Sequence, residues 1–230
     1  MLIELTGVEK IYNRGEPSEV HVLHDITLGV EEGEMVCLRG PSGSGKTTLL
    51  SIIGCVFPPT SGSATIAGKK ISRLPDHFLC DYRRRMIGFV FQNFNLLPEL
   101  SVLENVTLPL YPAGISPKRR RSIAEPLLER LGLTHRQDFP VGRISGGELQ
   151  RVAICRALIS DPPLILADEP TAHLDSTLAS QFMEILRLLK TQGKTVVLTS
   201  HDPRVYEYPA VDLVVDIADG RILNDNRQGG

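Results

Sequence analysis

The sequence predicts an α/β fold: a mainly parallel sheet covered by helices and interrupted by a long helical insertion. Three observations predict it. Short apolar, β-branched segments alternate with helical ones near both ends of the 230-residue chain, the pattern that builds a parallel sheet with covered faces. Residues 93–160 read instead as successive helical segments with no strand between them, an insertion of roughly seventy residues. The composition, 42% hydrophobic and 23% charged, is that of a globular protein rather than a disordered or fibrous one.

The elements follow in order. "LIELTGVEKIY", "VHVLHDITLGV" and "EMVCLRG" alternate as strands, punctuated by "NRGEPSE" and Gly33. From Gly45 to about Val56 the pattern is helical, and Pro58-Pro59 and Gly62 end it. "SATIAG" is a short strand, and "MIGFVFQ" is apolar enough for a buried one. "SVLENVTLPL", "KRRRSIAEPLLERLGL" and "GELQRVAICRALIS" supply the three helical segments of the insertion. "PLILADEP" is a fully buried strand, "STLASQFMEILRLLKTQG" an amphipathic helix ending at Gly193, and "KTVVLTSHD" and "VDLVVDIADGRIL" give further strands.

Bulk properties exclude several functions. A net charge of -2 gives no reason to expect nucleic acid. The basic runs Arg83-Arg84-Arg85 and Lys118-Arg119-Arg120-Arg121 are short, lack interleaved aromatics and read as solvated helix faces. Cys37, Cys55, Cys80 and Cys155 are scattered without a CxxC pair, which suits a reducing compartment and neither zinc nor a disulfide framework. Met1-Leu2-Ile3-Glu4 lacks the basic start and apolar stretch of a secretory signal, and no apolar run approaches the ~20 residues needed to cross a bilayer. A cytosolic protein is expected, reaching a membrane only through a partner.

"GPSGSGKT" matches the phosphate-binding pattern G-x-x-x-x-G-K-[ST] between a strand and a helix, where the mechanism needs it. Gly40, Gly43 and Gly45 let the backbone wrap closely enough for its N–H groups to point inward, and the helix that follows directs its positive end at the same place. Pro41, Ser42, Ser44 and Thr48 complete the nucleotide-binding stretch. Lys46 is expected to reach the β- and γ-phosphates of ATP and the Thr47 hydroxyl to ligate Mg²⁺. Asp168 ends an apolar strand at the edge where such sheets bind ligands and is expected to help hold the metal. Glu169 is the candidate base for the attacking water, a role worth about 10²–10⁴ in rate. Gln92 ends the "GFVFQ" strand where the insertion begins and can touch metal or water without fixing a charge. His201 ends the "VVLTS" strand, placed to hold the γ-phosphate and order Glu169. Tyr12 either stacks on adenine or faces a sheet.

A second anion-binding device stands far downstream. In "ISGGELQR" a serine and two glycines open a helix, offering Ser145 and the N–H groups of Gly146 and Gly147 to an anion. A single nucleotide held by the first loop leaves this second device unexplained.

Taken in order, "GPSGSGKTT", Gln92, "ISGGELQR", "LILADEPTAHLD" and "TSHDP" resemble the ATP-binding cassette (ABC) ATPases over essentially the whole chain. The resemblance implies a P-loop NTPase with a RecA-like parallel-sheet core, an N-terminal antiparallel β subdomain and an inserted α-helical subdomain. Core and β subdomain would take residues 1–92 and 161–230, and the helical subdomain residues 93–160. It also implies that two copies pair head to tail around two Mg-ATP. Ser145, Gly146, Gly147 and Glu148, the family's signature, then close over the nucleotide bound by the other copy, and Asp175 contacts the opposite subunit.

"FVFQNFNLLPELSVLENVTLPL" and "ISGGELQRVAI" further resemble the ATPases of lipoprotein-releasing and macrolide-export systems. That implies a separately encoded transmembrane partner, whose coupling helix the insertion and the Gln92 region receive, and a place on the inner face of the cell membrane. Three positions depart from the group. Ile144 replaces a leucine, His173-Leu174-Asp175 replaces Asn-Leu-Asp, and "GCVFPPTSG" lacks an acidic residue before its proline-threonine. Two alternatives stay open: a regulatory ATPase of a cell-division wall-hydrolase system, and a soluble cassette protein outside transport. Lipoprotein, drug, peptide and haem remain possible cargoes.

Overall fold

The computed structural model describes residues 1–172 and 174–227, so the His173 position singled out above lies outside the described residues. In chain order the elements are β1 (Ile3–Tyr12), β2 (Val20–Val30), β3 (Met35–Arg39), α1 (Lys46–Ile53), β4 (Ser61–Ile66), β5 (Lys69–Lys70) and α2 (Asp76–Met86). There follow β6 (Ile87–Val90), α3 (Val102–Thr107), α4 (Pro117–Arg130), α5 (Gly146–Leu158), β7 (Leu164–Ala167) and α6 (Ser176–Thr191). The chain closes with β8 (Thr195–Ser200), α7 (Pro203–Tyr206), β9 (Leu213–Ala218) and β10 (Arg221–Arg227).

Two sheets result. The first runs β2-β1-β4-β5 and is antiparallel. The second runs β10-β9-β3-β8-β7-β6; β9, β3, β8, β7 and β6 pair in parallel, and β10 joins antiparallel at one edge. Every residue of β7 and β8 is buried, as are the first four of β3. That is why these strands are largely apolar along their length rather than alternating. Their order brings the carboxyl ends of β3, β8, β7 and β6 side by side, with Arg39 opposite Ser200 and Ala167 opposite both Val90 and Leu198. The segments that leave those ends are the phosphate loop and the stretches carrying His201, Asp168-Glu169 and Gln92.

Both faces of the second sheet are covered. One packs Leu38, Leu166 and Val215 with Leu49, Leu50 and Ile53 of α1 and with the first sheet. The other packs Ile165, Val196 and Leu198 against Phe182, Met183, Leu186 and Leu189 of α6, each worth roughly 1.5–3 kcal/mol when fully buried. A third cluster joins Val102 and Val106 of α3, Ala124 and Leu128 of α4, and Val152 and Cys155 of α5.

Helix starts follow the chain's polar residues. Ser101 and Glu104 form a reciprocal capping box at α3, Ser145 and Glu148 form another at α5, and the Asp175 carboxylate accepts from the Leu178 amide at α6. The segment "SVLENVTLPL" is α-helical only to Thr107. It continues as a 3₁₀ turn through Ala113, because Pro109 and Pro112 withhold the amide hydrogens an α-helix needs. No helix among the described residues is long and apolar enough to cross a membrane.

Candidate functional site

The loop between β3 and α1 has the backbone its glycines imply, with φ of 80° at Gly43 and 99° at Gly45. Gly40 is required by a close approach: a Cβ there would stand 2.0 Å from the Ile217 carbonyl oxygen and 2.9 Å from Ser44 Oγ. The Ser44 hydroxyl is buried in this loop without a hydrogen-bond partner among the described residues. A buried, unpaired hydroxyl carries a desolvation cost unless a ligand meets it. A cavity of about 350 Å³ opens here, lined by the loop residues 42–48, Val22, Gln92, Glu169 and His201.

Lys46 is buried. Its ammonium group donates to the carbonyls of Gly40 (2.7 Å) and Pro41 (2.9 Å) and lies 3.8 Å from Glu169 Oε1. The Thr47 hydroxyl donates to Asp168 Oδ1 at 3.1 Å, so the two residues expected at the metal are already neighbours. Among the described residues no three His, Cys, Asp or Glu side chains gather as a metal cage. Mg²⁺ suits such a place, because it is usually held by one or two protein ligands plus substrate phosphates. The unpaired Ser44 hydroxyl, the side-chain-free approach at Gly40 and the hydroxyl–carboxylate pair together fit a nucleotide phosphate with its metal.

Glu169 leaves β7 with φ of 42°, a left-handed conformation that costs a non-glycine residue about 1–3 kcal/mol and is commonest at functional sites. Its main-chain N–H donates to the Thr199 hydroxyl at 2.7 Å, and that hydroxyl donates to Asp168 Oδ1 at 2.8 Å. Thr199 therefore fixes both acids at once. The Glu169 carboxylate meets His201 Nδ1 at 3.1 Å and 3.2 Å, with the imidazole at the open rim and the carboxylate beneath it. Below the site, burial pushes the Cys37 thiol up to about 12, with the Glu169 charge adding to the effect.

The structure thus brings Ser42, Gly43, Ser44, Gly45, Lys46, Thr47, Thr48, Gln92, Glu169 and His201 to one cavity, with Asp168 one bond behind Thr47. Tyr12 is not in that lining; its ring meets Phe57 edge-on at 5.9 Å, beside the Lys10 ammonium. Sequence reasoning missed Thr199 and Val22. The signal for Thr199 was a hydroxyl inside an otherwise apolar strand, which must find a partner when buried.

The Ser145 helix start is not part of this lining. Ser145 and Gly146 are exposed, and nothing lies within 4 Å of a Cβ placed on Gly146. Gly147 is buried, and a Cβ on it would stand 2.8 Å from Leu178 Cδ2, so α6 packs hard against the start of α5. The Glu148 carboxylate accepts from both the Ser145 amide and its hydroxyl at 2.8 Å, and from Arg136 Nε at 2.9 Å. The Ser145 amide, followed by the Arg136 guanidinium, holds the carboxyl down at about 2.

Residues 23–172 match the ABC transporter family. The chain is 46% identical over 228 residues to an ABC transporter ATP-binding protein of Thermotoga maritima, covering 99% of this chain and 96% of that one. It is 44% identical over 224 residues to the macrolide export ATP-binding/permease protein MacB of Salmonella choleraesuis, covering 97% of this chain but only 34% of that protein's length. Among solved structures it is similar to a dimeric ATP-binding cassette in a post-hydrolysis state bound to ADP and Pi. That likeness has a TM-score of 0.90 and 41% identity over 99% of both chains.

Proposed function

The chain belongs to the ABC transporter family, and on that premise we propose that it binds and hydrolyses ATP as one of two copies that close around two Mg-ATP and drive a membrane partner. The observation that carries the reading is a division of labour. Lys46, Thr47, Gln92, Glu169 and His201 share one cavity, while the exposed Ser145-Gly146 start of α5 is absent from its lining. The solved cassette similar to this chain is dimeric, and the MacB relative joins an ATPase to a permease by name. Both support pairing and a membrane partner here. On this reading the protein sits at the cytoplasmic face of the membrane, with 1–92 and 161–230 as core and 93–160 as the helical subdomain. The separate cluster of α3, α4 and α5 supports that division.

In the proposed reaction the loop amides, Lys46 and the Ser44 hydroxyl bind the phosphate chain. Thr47 and Asp168, with Gln92, hold Mg²⁺, whose chemistry when bound is to neutralise charge on phosphate oxygens. Glu169 takes a proton from water, His201 fixes the carboxylate's orientation, and Thr199 holds the main chain on which it stands. Ser145, Gly146 and Gly147 of the second copy grip the terminal phosphate, Glu148 presets their serine, and Asp175 faces the opposite subunit. Moving such a pair from 1:99 to 99:1 closed takes about 5.5 kcal/mol. Charge-assisted hydrogen bonds of about 1.5–3 kcal/mol each supply it from a few contacts per site.

Glu169→Gln is expected to bind ATP, form a persistent dimer on sizing and hydrolyse about 10²–10⁴ times more slowly. Ser145→Ala is expected to bind nucleotide as a monomer yet pair poorly. Full turnover by the first variant removes Glu169 from the mechanism, and unchanged pairing by the second defeats the shared-phosphate argument.

A further inference from the structure

Two residues beyond Gln92 the chain does something that sequence alone does not explain. Phe94 and Asn95 are consecutive non-glycine residues in the left-handed region, with φ of 58° and 48°. Such a turn persists only where its surroundings enforce it. The Phe94 amide donates to Phe91 O at 2.9 Å, closing a turn over Gln92, and the Asn95 amide donates to Asn93 O at 2.6 Å just beyond it.

The enforcing group comes from another element. Arg156, in the last turn of α5, donates through Nη2 to Phe94 O at 2.5 Å and through Nη1 to Asn95 O at 2.6 Å. A planar guanidinium suits two adjacent carbonyls in a way that a lysine ammonium does not. The same α5 begins at Ser145 and Gly146. One rigid helix thus has the second anion device at one end and a grip on the Gln92 loop at the other. Arg156 and Phe91 also form part of the wall of a groove of about 290 Å³, with Ile87, Phe89, Pro109 and Pro112.

We propose that Arg156 is a positioning residue: by holding the strained Phe94–Asn95 turn it sets Gln92 in the site, and it ties that setting to the orientation of α5. The proposal rests on the ATPase reading above. Any movement of α5 relative to the sheet drags the two carbonyls or releases them, so Gln92 is placed only when the helix stands in one orientation.

Two measurements on the full chain test it. Amide hydrogen exchange across residues 92–97 reads the turn without any need for turnover. Arg156→Met is expected to speed exchange there at least about tenfold while the core strands stay protected; unchanged exchange overturns the grip. A kinetic double-mutant cycle then reads the route. Arg156→Met alone is expected to lower kcat about tenfold with KM for ATP changed less than about threefold, but to lower it less than about twofold further in Gln92→Ala. Additive losses mean a structural residue and overturn the proposal. Should Arg156→Met fail to fold, Arg156→Lys enters the same two measurements, with smaller expected effects of the same sign and the same overturning results. A wild-type chain without ATP hydrolysis sinks the ATPase reading while the exchange result still decides the grip.

Discussion

Replacing Thr199 by valine removes one oxygen atom and tests how the two acids are held. Thr199 is fully buried, and its hydroxyl is both donor to Asp168 Oδ1 (2.8 Å) and acceptor for the Glu169 amide (2.7 Å). Valine fills nearly the same space, so the loss is of hydrogen bonding rather than of packing. An amide left unpaired in the interior costs about 1–3 kcal/mol, and a hydrogen bond to an ionised carboxylate is worth about 1.5–3 kcal/mol. Asp168 keeps the Thr47 hydroxyl at 3.1 Å, and valine gains by its burial. We therefore expect a loss of about 3 kcal/mol, a fall in Tm of roughly 6–12 °C for a chain of this size. Turnover should fall at least about tenfold, because the hydroxyl holds Glu169 in its left-handed conformation. Thr199→Ser, which keeps the oxygen, should stay within about 1 kcal/mol of wild type. Thermal melts of the three proteins and steady-state ATP hydrolysis are the assays. A Thr199→Val protein that melts within about 2 °C of wild type and turns over normally would show that something other than this hydroxyl holds the acids.

Two further outcomes are expected. The Glu148 carboxyl sits at about 2 in the folded chain against an ordinary 4.5, so it stabilises the fold above about pH 4.5, and that contribution disappears as the pH falls towards 2. The gap between wild type and Glu148→Gln, at most about 3 kcal/mol, should be widest near neutrality and close on acidification; denaturant titrations at several pH values will show a constant gap if the carboxylate is not the cause. Gly40→Ala places a Cβ 2.0 Å from the Ile217 carbonyl, which no side-chain rotation relieves. It should destabilise by at least about 1–3 kcal/mol and weaken nucleotide binding, and a variant that melts and binds like wild type refutes the close approach.

The candidate site was legible because binding a nucleotide phosphate constrains residue types at fixed spacing: a glycine-rich loop before a helix, acids after a buried strand, a serine before two glycines. The starts of α3, α5 and α6 fall within a residue of where the helical segments "SVLENVTLPL", "GELQRVAICRALIS" and "STLASQFMEILRLLKTQG" begin, and the structure shows Ser101, Ser145 and Asp175 capping them. What escaped belonged to no local motif. Helix α2 begins after Pro75 with no side-chain cap and buries only Leu79, so no apolar stripe announces it; the sequence showed only its arginines as a solvated face. Strand β5 is two exposed lysines that are a strand only because β4 is beside them. Thr199 and Arg156 act across gaps of about 30 and 60 residues, and contacts that distant are made by the fold, not by neighbours in the chain.

The four cysteines, scattered without a CxxC pair, leave the protein ready-made for labelling. Cys37, Cys55 and Cys155 are buried, their thiols pushed up to about 12, whereas Cys80 is exposed on α2 at the mouth of the groove that Phe91 and Arg156 help to wall. A thiol-reactive dye therefore finds one address out of four. The natural chain, with nothing replaced, carries its own reporter beside the turn that Arg156 holds.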